Sequence, residues 1–332
     1  MARDKGKNIL VTGGAGYIGS HACKALRQAG WTPVTFDNLS TGWADAVKFG
    51  PFKRGDLTDR AHLDEVFAAF RPEAVMHFGA LSDVGQSMQK PGLYWHNNVA
   101  GSLVLIEAMI AAECKKMVFS STCATYGDQD GVLLDETCAQ DPINAYGASK
   151  KAIEDMLGNF STSDGLESVI FRYFNVAGAD HEAEIGEFHR PETHLIPLAL
   201  DTITGKRDAL TVFGDDYDTP DGTCIRDYVH VSDLVDAHLS GLERLLEGGG
   251  SGVFNLGTGR GFSVMEVIEA AGAVTGNDVP VRIGERRPGD CTKLVSGGSR
   301  ANRELGWTPK KSTLPQMIGD AWRWHRSGHF EA

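Results

Sequence analysis

Nowhere in its 332 residues does this chain gather the roughly 20 consecutive apolar residues that a bilayer-spanning helix needs, so no membrane partner is expected. Positive charge is short as well. Lys and Arg number 32 against 44 Asp and Glu, a formal net charge of −12, and a surface of that sign argues against nucleic acid as a partner. An anionic small molecule would have to be held by local arginines rather than by overall attraction. The six cysteines include no Cys-x-x-Cys pair and no interleaving with histidines at metal-ligand spacing, which reads as reduced, mostly buried thiols. The stretch His181-Glu182-Ala183-Glu184, running on to Glu187 and His189, is rich in possible ligands. It lacks a helix-face spacing such as His-x-x-x-His, so it reads as a solvated loop, and no metal is expected. The opening, Met1 to Asn8, is polar and leads straight into an apolar strand, which points to a cytoplasmic protein. No linker or internal repeat is evident. Gly248-Gly249-Gly250-Ser251-Gly252 falls between a helix ending near Leu246 and a short strand Val253–Leu256, so it reads as a surface loop. A chain of this length is then one large unit or two intimately packed ones.

What the chain has in abundance is alternation of short apolar strands with amphipathic helices. Asn8-Ile9-Leu10-Val11-Thr12 runs into Gly13-Gly14-Ala15-Gly16-Tyr17-Ile18-Gly19 and then into a helix with Ile18, Ala22, Leu26 and Ala29 inward, ended by Gly30. Strand, glycine loop and helix in that order form a phosphate cradle. Gly13 permits the tight turn, Gly16 lets the backbone approach a pyrophosphate, and Gly19 lets helix and strand pack closely. The second strand, Thr32–Phe36, ends in Asp37, where an acid is expected to bind the adenosine ribose hydroxyls, roughly 20 residues on. The following Asn38-Leu39-Ser40-Thr41-Gly42 offers no Arg or Lys to a 2′-phosphate, so the expected cofactor is NAD rather than NADP.

The alternation continues through Phe52-Lys53-Arg54 with Gly55-Asp56-Leu57, a helix around Leu63 to Phe70, and a strand Ala74–Phe78 closing on Gly79 and Ala80. A long helical segment after Pro91 carries Leu103, Leu105, Ile106 and Met109, and a strand Lys116–Thr122 follows. Doubly wound sheets keep their chemistry at such strand ends, so the hydroxyls of Ser121 and Thr122 are candidates to reach a substrate; the alternative is an ordinary turn-forming role.

Tyr146 and Lys150 stand four residues apart in Asn144-Ala145-Tyr146-Gly147-Ala148-Ser149-Lys150. Ile153, Met156, Leu157 and Phe160 recur at helical spacing, which predicts a helix from about 145 to 162. Lys151, Glu154, Asp155 and Asn159 form its expected solvent face, and Lys150 points inward, where an unpartnered charge is costly. A free tyrosine titrates near pH ~10, and a neighbouring ammonium is expected to lower that value. A snorkelling lysine beside a core tyrosine is the bland alternative; the nucleotide loop weighs against it. Two arginine sites suit diphosphate oxygens. They are Arg226, in Cys224-Ile225-Arg226-Asp227-Tyr228, and the pair Arg286-Arg287 ahead of Pro288-Gly289-Asp290. Arg226 and Asp227 also read as a structural ion pair.

From Asn8 to about Trp307 these motifs, with Phe119-Ser120-Ser121-Thr122, Phe171-Arg172-Tyr173-Phe174-Asn175 and Asp221-Gly222-Thr223-Cys224-Ile225-Arg226-Asp227-Tyr228, resemble the extended short-chain dehydrogenase/reductase family. Within it they resemble the UDP-glucose 4-epimerases. The resemblance implies an α/β fold: a Rossmann-type doubly wound parallel sheet over residues 1–177, and a smaller α/β substrate-binding domain over 178–332 with segments crossing back. It implies that Tyr146 is the catalytic base, that Lys150 tunes it and binds the nicotinamide ribose, and that Thr122 assists. NAD would be lined by Gly13, Gly16, Tyr17, Ile18, Gly19, Asp37, Asn38, Asp56, Leu57, Phe78, Gly79, Ala80, Asn97 and Phe174. A UDP-sugar would meet Asn175, His194, Leu195, Phe213, Arg226, Tyr228, Arg287, Asp290 and Leu294. A homodimer through the helices after Pro91 and Asn144 is implied too.

The implied reaction inverts the sugar C4 of UDP-glucose to give UDP-galactose, through a 4-keto sugar and transient reduction of bound NAD. Two residues depart from the family pattern: His194 stands where Asn is frequent, and Leu294 stands four residues after Asp290, where some members have Tyr. Another UDP-sugar, UDP-N-acetylglucosamine or UDP-xylose, is therefore an alternative substrate. A nucleotide-sugar 4,6-dehydratase would need Asp and Glu after Thr122, where Cys123 and Ala124 stand. A non-catalytic NAD-sensing protein on the same fold is disfavoured by an intact Thr122, Tyr146 and Lys150.

Overall fold

The structure, a computed structural model, describes residues 7–129 and 132–327; of the polar opening Met1 to Asn8, all but the last two residues lie outside it. The strands in chain order are β1 (Asn8–Thr12), β2 (Thr32–Asp37), β3 (Phe52–Arg54), β4 (Ala74–His77), β5 (Lys116–Thr122), β6 (Glu167–Tyr173) and β7 (Asn175–Ala177). They continue as β8 (Leu210–Phe213), β9 (Ile225–His230), β10 (Gly252–Leu256), β11 (Gly261–Ser263), β12 (Val281–Gly284) and β13 (Lys293–Leu294). Seven form one parallel sheet in the order β3-β2-β1-β4-β5-β6-β10. The chain direction of winding reverses between β1 and β4, the switch point where such sheets open a crevice at the carboxyl ends of their strands.

Both faces of this sheet are covered, because successive strand residues point to opposite sides and both sets are apolar. Ile9, Val11, Met76, Val118, Val169 and Phe171 meet Ala22, Leu26, Leu234 and Leu242 of the helices Tyr17–Gln28 and Val231–Leu246. Leu10, Val75, Met117, Phe119 and Ile170 face the other way, onto Leu63, Leu105, Ile153 and Leu157 of the helices Arg60–Phe70, Gly101–Ala111 and Ala145–Asp164. A smaller sheet of β7, β9, β11 and β13 and a pair β8–β12 build the second lobe. There Ile196, Leu200, Val212, Tyr228, Val267 and Met317 make a separate core.

The long segment after Pro91 is not one continuous α-helix. A short helix Pro91–Tyr94 gives way to a π-helical turn, Trp95–Ala100, before Gly101–Ala111. Such turns gather at functional sites. This one lets buried Asn98 serve both Leu81 N and Leu81 O, at 2.8 and 3.0 Å, while Asn97 faces the central cavity. Leu105, Ile106 and Met109 are buried and Leu103 is exposed.

Asn144 caps the helix Ala145–Asp164 by accepting from Gly147 N at 2.8 Å, and Gly165 ends it in the left-handed region. Lys151, Asp155 and Asn159 lie on its outer side, but Glu154 does not belong with them: it is buried. The reason lies on β6, beyond the reach of helical periodicity. Arg172 crosses from that strand to make Nε bonds of 3.1 Å to both carboxylate oxygens of Glu154 and an Nη2 bond of 2.6 Å. Its Nη1 donates to Tyr126 Oη at 3.0 Å, and Tyr126 donates to Asn255 of β10 at 2.7 Å. Replacing Glu154 with Ala leaves Arg172 buried without its counter-charge, a loss of about 3–5 kcal/mol. Urea unfolding is expected to show a lower midpoint for Glu154→Ala, with much of the loss recovered when Arg172→Met is added.

Candidate functional site

A cavity of about 450 Å³ runs along the carboxyl ends of β1, β2, β4, β5 and β6 and into the second lobe. At its floor Gly13 turns at φ +70°, and a Cβ there would lie 2.6 Å from Gly79 N. At Gly19 a Cβ would lie 2.1 Å from Gly13 O, whereas at Gly16 it would meet only Gly13 O at 3.3 Å. The three glycines thus do different work. Gly13 and Gly19 are closed by packed backbone, and Gly16 presents bare backbone at the start of the helix Tyr17–Gln28, where the dipole favours a phosphate. Tyr17 reaches across to donate to Gly178 O at 2.6 Å, tying the loop to the second lobe.

Asp37 ends β2 with Oδ2 accepting from Ala15 N at 3.0 Å and Oδ1 from Leu39 N at 2.8 Å. Burial pushes its carboxyl up and those two N–H groups pull it back. The adjoining wall is Asn38, Ser40 and Thr41, with no basic side chain. Asp56 stands outside the cavity lining. It accepts from Asn38 Nδ2 at 2.8 Å and from Thr58 N and Oγ1 at 2.9 and 2.7 Å, so it braces Asn38 from behind. Every other residue expected to line NAD, namely Ile18, Leu57, Phe78, Gly79, Ala80, Asn97 and Phe174 together with those already placed, is on the wall. The cradle, a carboxylate at the end of β2 and an adjoining wall without a basic side chain all fit NAD.

At the end of β5 the Thr122 hydroxyl accepts from Ala124 N at 3.1 Å, which leaves its own proton for a neighbour. Beside it stands Tyr146, whose phenol is buried. Burial drives the Tyr146 pKa well up, nearby Tyr173 adds to this, and the Thr122 hydroxyl pulls it back. The expectation that Lys150 lowers Tyr146 is not met here. Lys150 turns instead to β5, with Nζ 2.7 Å from Ser120 O and 4.9 Å from the Phe119 ring centroid. Burial brings the lysine itself down to about 7, against the opposing pull of Glu154.

Strand alternation corrects two further expectations. Ser121 points away from the cavity and donates to Glu154, while Ser120 and Thr122 on either side face it. Arg226 and Asp227 also diverge and form no pair with each other. Asp227 accepts from Thr258, Gly259 and Ser296, whereas Arg226 faces the cavity with Nη2 3.8 Å from Asp290. Of the two adjacent arginines, Arg286 is turned outward to Asp216 at 2.7 Å. Arg287 lies over Phe213 at 4.6 Å, and its buried Nε has no hydrogen-bond partner.

Asn175, His194, Leu195, Tyr228, Asp290 and Leu294 complete the second lobe's wall. Tyr173, hydrogen-bonded to Ser120, and Asn144 line the cavity too; stepping by two from Phe171 along β6 points to the first. Glu187 and His189, set aside as loop, are also on the wall.

A glycine cradle, a carboxylate at the end of the second strand and a Thr–Tyr–Lys group at the carboxyl ends of a parallel sheet define a dinucleotide-dependent enzyme of Rossmann type. Residues 9–257 match the NAD dependent epimerase/dehydratase family, and the chain belongs to it. It is 50% identical over 318 residues to a UDP-glucose 4-epimerase of Rhizobium meliloti (strain 1021), covering 96% of this chain and 97% of that one. A crystal structure of UDP-glucose 4-epimerase from Brucella ovis in complex with NAD superposes with a TM-score of 0.93 at 46% identity, covering 96% and 98% of the two chains. A UDP-Glc/GlcNAc 4-epimerase of Campylobacter jejuni superposes with a TM-score of 0.83 at 41% identity, covering 97% and 99%.

Because Gly16 is open and Gly19 is closed, the two predict different failures. Gly16→Ala is expected to fold normally and lose dinucleotide affinity, read by the cofactor released on heat denaturation. Gly19→Ala must displace the Gly13 carbonyl, and its first symptom is a lower melting temperature.

Proposed function

We propose that this chain is an NAD-dependent UDP-glucose 4-epimerase, which interconverts UDP-glucose and UDP-galactose through a 4-keto sugar. The observation that carries the reading is the Thr122–Tyr146 pair placed between the dinucleotide cradle and the arginine-lined second lobe. The names of its relatives support it across nearly the whole chain.

The second lobe holds the nucleotide diphosphate through Arg226 and Arg287, with Asp290 between them as a shared counter-charge at 3.8 and 3.5 Å. Asn175, His194 and Leu195 face the sugar. Thr122 orients the sugar 4-hydroxyl; with the cationic nicotinamide of NAD bound beside it, the Tyr146 phenol would lose its proton to solvent, and its Oη would then take the 4-hydroxyl proton and later return it. Lys150 presents its ammonium to the nicotinamide ribose from its seat on the Ser120 carbonyl. Gly13, Gly16, Gly19 and Asp37 would hold NAD, which would supply reversible hydride acceptance at the sugar C4, so that no net oxidation occurs.

Elimination of water from C5 and C6 would call for an acid/base after Thr122, and the Cys123 thiol is pushed up to about 12 by burial, so it stays protonated and idle. The enzyme works as a homodimer in the cytoplasm. Exposed Leu93, Trp95 and Leu103 along the segment after Pro91 support the dimer, and six unpaired cysteines suit a reducing compartment. Among the described residues no helix is long and apolar enough to cross a membrane.

Purified protein given UDP-glucose without added NAD is expected to yield UDP-galactose by proton NMR, and Tyr146→Phe is expected to lower kcat by ~10²–10⁴-fold while folding and binding UDP. Stoichiometric consumption of external NAD, or near-normal turnover in that variant, would overturn the reading. Leu294 packs against Cys123, Phe174 and Cys291 at the cavity wall. A phenol in its place would crowd the sugar C2 substituent. UDP-N-acetylglucosamine is therefore expected to be turned over measurably, though less well than UDP-glucose. Leu294→Tyr is expected to suppress kcat/KM for the acetamido sugar selectively; an unchanged ratio would assign the discrimination elsewhere.

A further inference from the structure

The loop between β7 and the helix Leu195–Ile203 gathers two groups of ligand-type side chains, and they differ in kind. In the first, Asp180, Glu182 and Glu184 close around the ammonium of Lys24 at 2.6–2.9 Å, so a cation of the protein itself fills the group. In the second, Glu187, His189, Glu192 and His194 converge with no such residue at the centre. Arg190, which lies between them in the chain, is turned onto Trp43 and Phe188 instead.

The spacing within the second group is specific. His194 Nδ1 stands 3.0 Å from Glu187 Oε1 and 2.9 Å from Glu192 Oε1; His189 Nδ1 stands 3.6 Å from the same Glu187 oxygen and 3.4 Å from Glu192 Oε2. One ligand atom from each residue falls within 4.8 Å of all the others. Four ligands placed tetrahedrally at 2.0–2.1 Å from a zinc ion stand roughly 3.3 Å from one another; the four histidine–carboxylate separations lie at 2.9–3.6 Å, through both oxygens of Glu192, and the remaining pairs within 4.8 Å, so a modest contraction would seat an ion. The carboxylates are the enclosed part, with side chains 7% exposed at Glu187 and 12% at Glu192. Both imidazoles turn the same nitrogen toward them. The Nδ1 of His189 is buried and makes no hydrogen bond, although carboxylate oxygens lie beside it.

We propose that Glu187, His189, Glu192 and His194 form a binding site for one divalent first-row transition ion of the zinc type. Two imidazoles and two carboxylates suit such an ion better than calcium or magnesium, which prefer oxygen alone. Four protein ligands close the coordination shell, so the ion is structural and takes no part in the chemistry. It clips the loop that carries His194 and Leu195 to the cavity wall. The sequence hides this because the ligands are spread over a loop at spacings of two, three and two residues, with no helix face to display them. The site stands whether or not the sugar specificity proposed above is correct.

The test is zinc binding itself. Protein dialysed against EDTA is titrated with Zn²⁺ near neutral pH in competition with a chromophoric chelator, and with Co²⁺ while the visible spectrum is recorded. One Zn²⁺ per chain, the intense visible bands of tetrahedral cobalt, and a rise in melting temperature with added zinc are expected. His189→Gln and Glu192→Gln are each expected to weaken binding by roughly 100-fold or more. His181→Gln, an exposed histidine outside the group, is expected to bind as the wild type does. Absence of stoichiometric zinc on the wild-type chain overturns the proposal without reference to any variant. Unchanged affinity in folded His189→Gln and Glu192→Gln, checked by circular dichroism, overturns it too. Both readouts are independent of epimerase turnover, so their failure is distinct from a failure of the functional reading.

Discussion

The helix Ala145–Asp164 brings two charged side chains, Lys150 and Glu154, into the interior one turn apart, and the position of Tyr146 depends on how those charges are met. Burial of either alone would be prohibitive. Glu154 is answered by a bidentate Arg172 from β6, and Lys150 by the Ser120 carbonyl of β5. The helix is therefore locked in rotation and height against the two strands whose ends face the cavity. Since Tyr146 lies one turn before Lys150, the lock places its phenol beside Thr122. Tyr126 and Asn255 extend the same hydrogen-bonded chain to β10, which the polypeptide contributes from its second half.

That return of the chain also explains how one cavity comes to be shared by two lobes. β10 and the helix Val231–Leu246 belong to the large sheet by pairing and packing, although the segments before and after them build the smaller lobe. Several crossings, rather than a single hinge, join the lobes. Tyr17 bonded to Gly178 and Trp43 bonded to Phe188 add lateral ties beside the nucleotide loop. A crevice held this way suits chemistry in which a sugar must turn over without leaving while its cofactor stays bound, because the walls are set by packed elements.

Local backbone and periodicity made much of the first lobe legible. Gly13, Gly16 and Gly19 each meet the steric demand that their spacing implied, since a positive φ, an open side and a close backbone contact follow from the turn itself. The strands and the helix carrying Tyr146 were readable because their apolar period is intrinsic to the element. Glu154 was misread for a related reason. Helical spacing ranks faces by the residues along one element, and a charged residue counts as outward until a distant partner such as Arg172 is known. The direction of Lys150 was similarly open, since spacing places a side chain on a face but does not choose between a phenol and a carbonyl.

By itself, then, the sequence determined everything governed by short-range sterics and by period. That covers the strand–loop–helix cradle, the Asp37 strand end with no base in the segment 38–42 that follows it, the alternating two-faced sheet, and Tyr146 with Lys150 on one helical side. Tertiary structure decided whatever needed residues far apart in the chain to meet. It buried Glu154 on Arg172, withdrew Asp56 behind Asn38, parted Arg226 from Asp227, sent Arg286 outward while keeping Arg287 in, and drew His189 and His194 together around Glu187 and Glu192. The physical reason is common to all of these. A side chain's partner is set by the energy of burying or pairing a polar group, and that energy exists only once the strands and loops that surround it have been assembled.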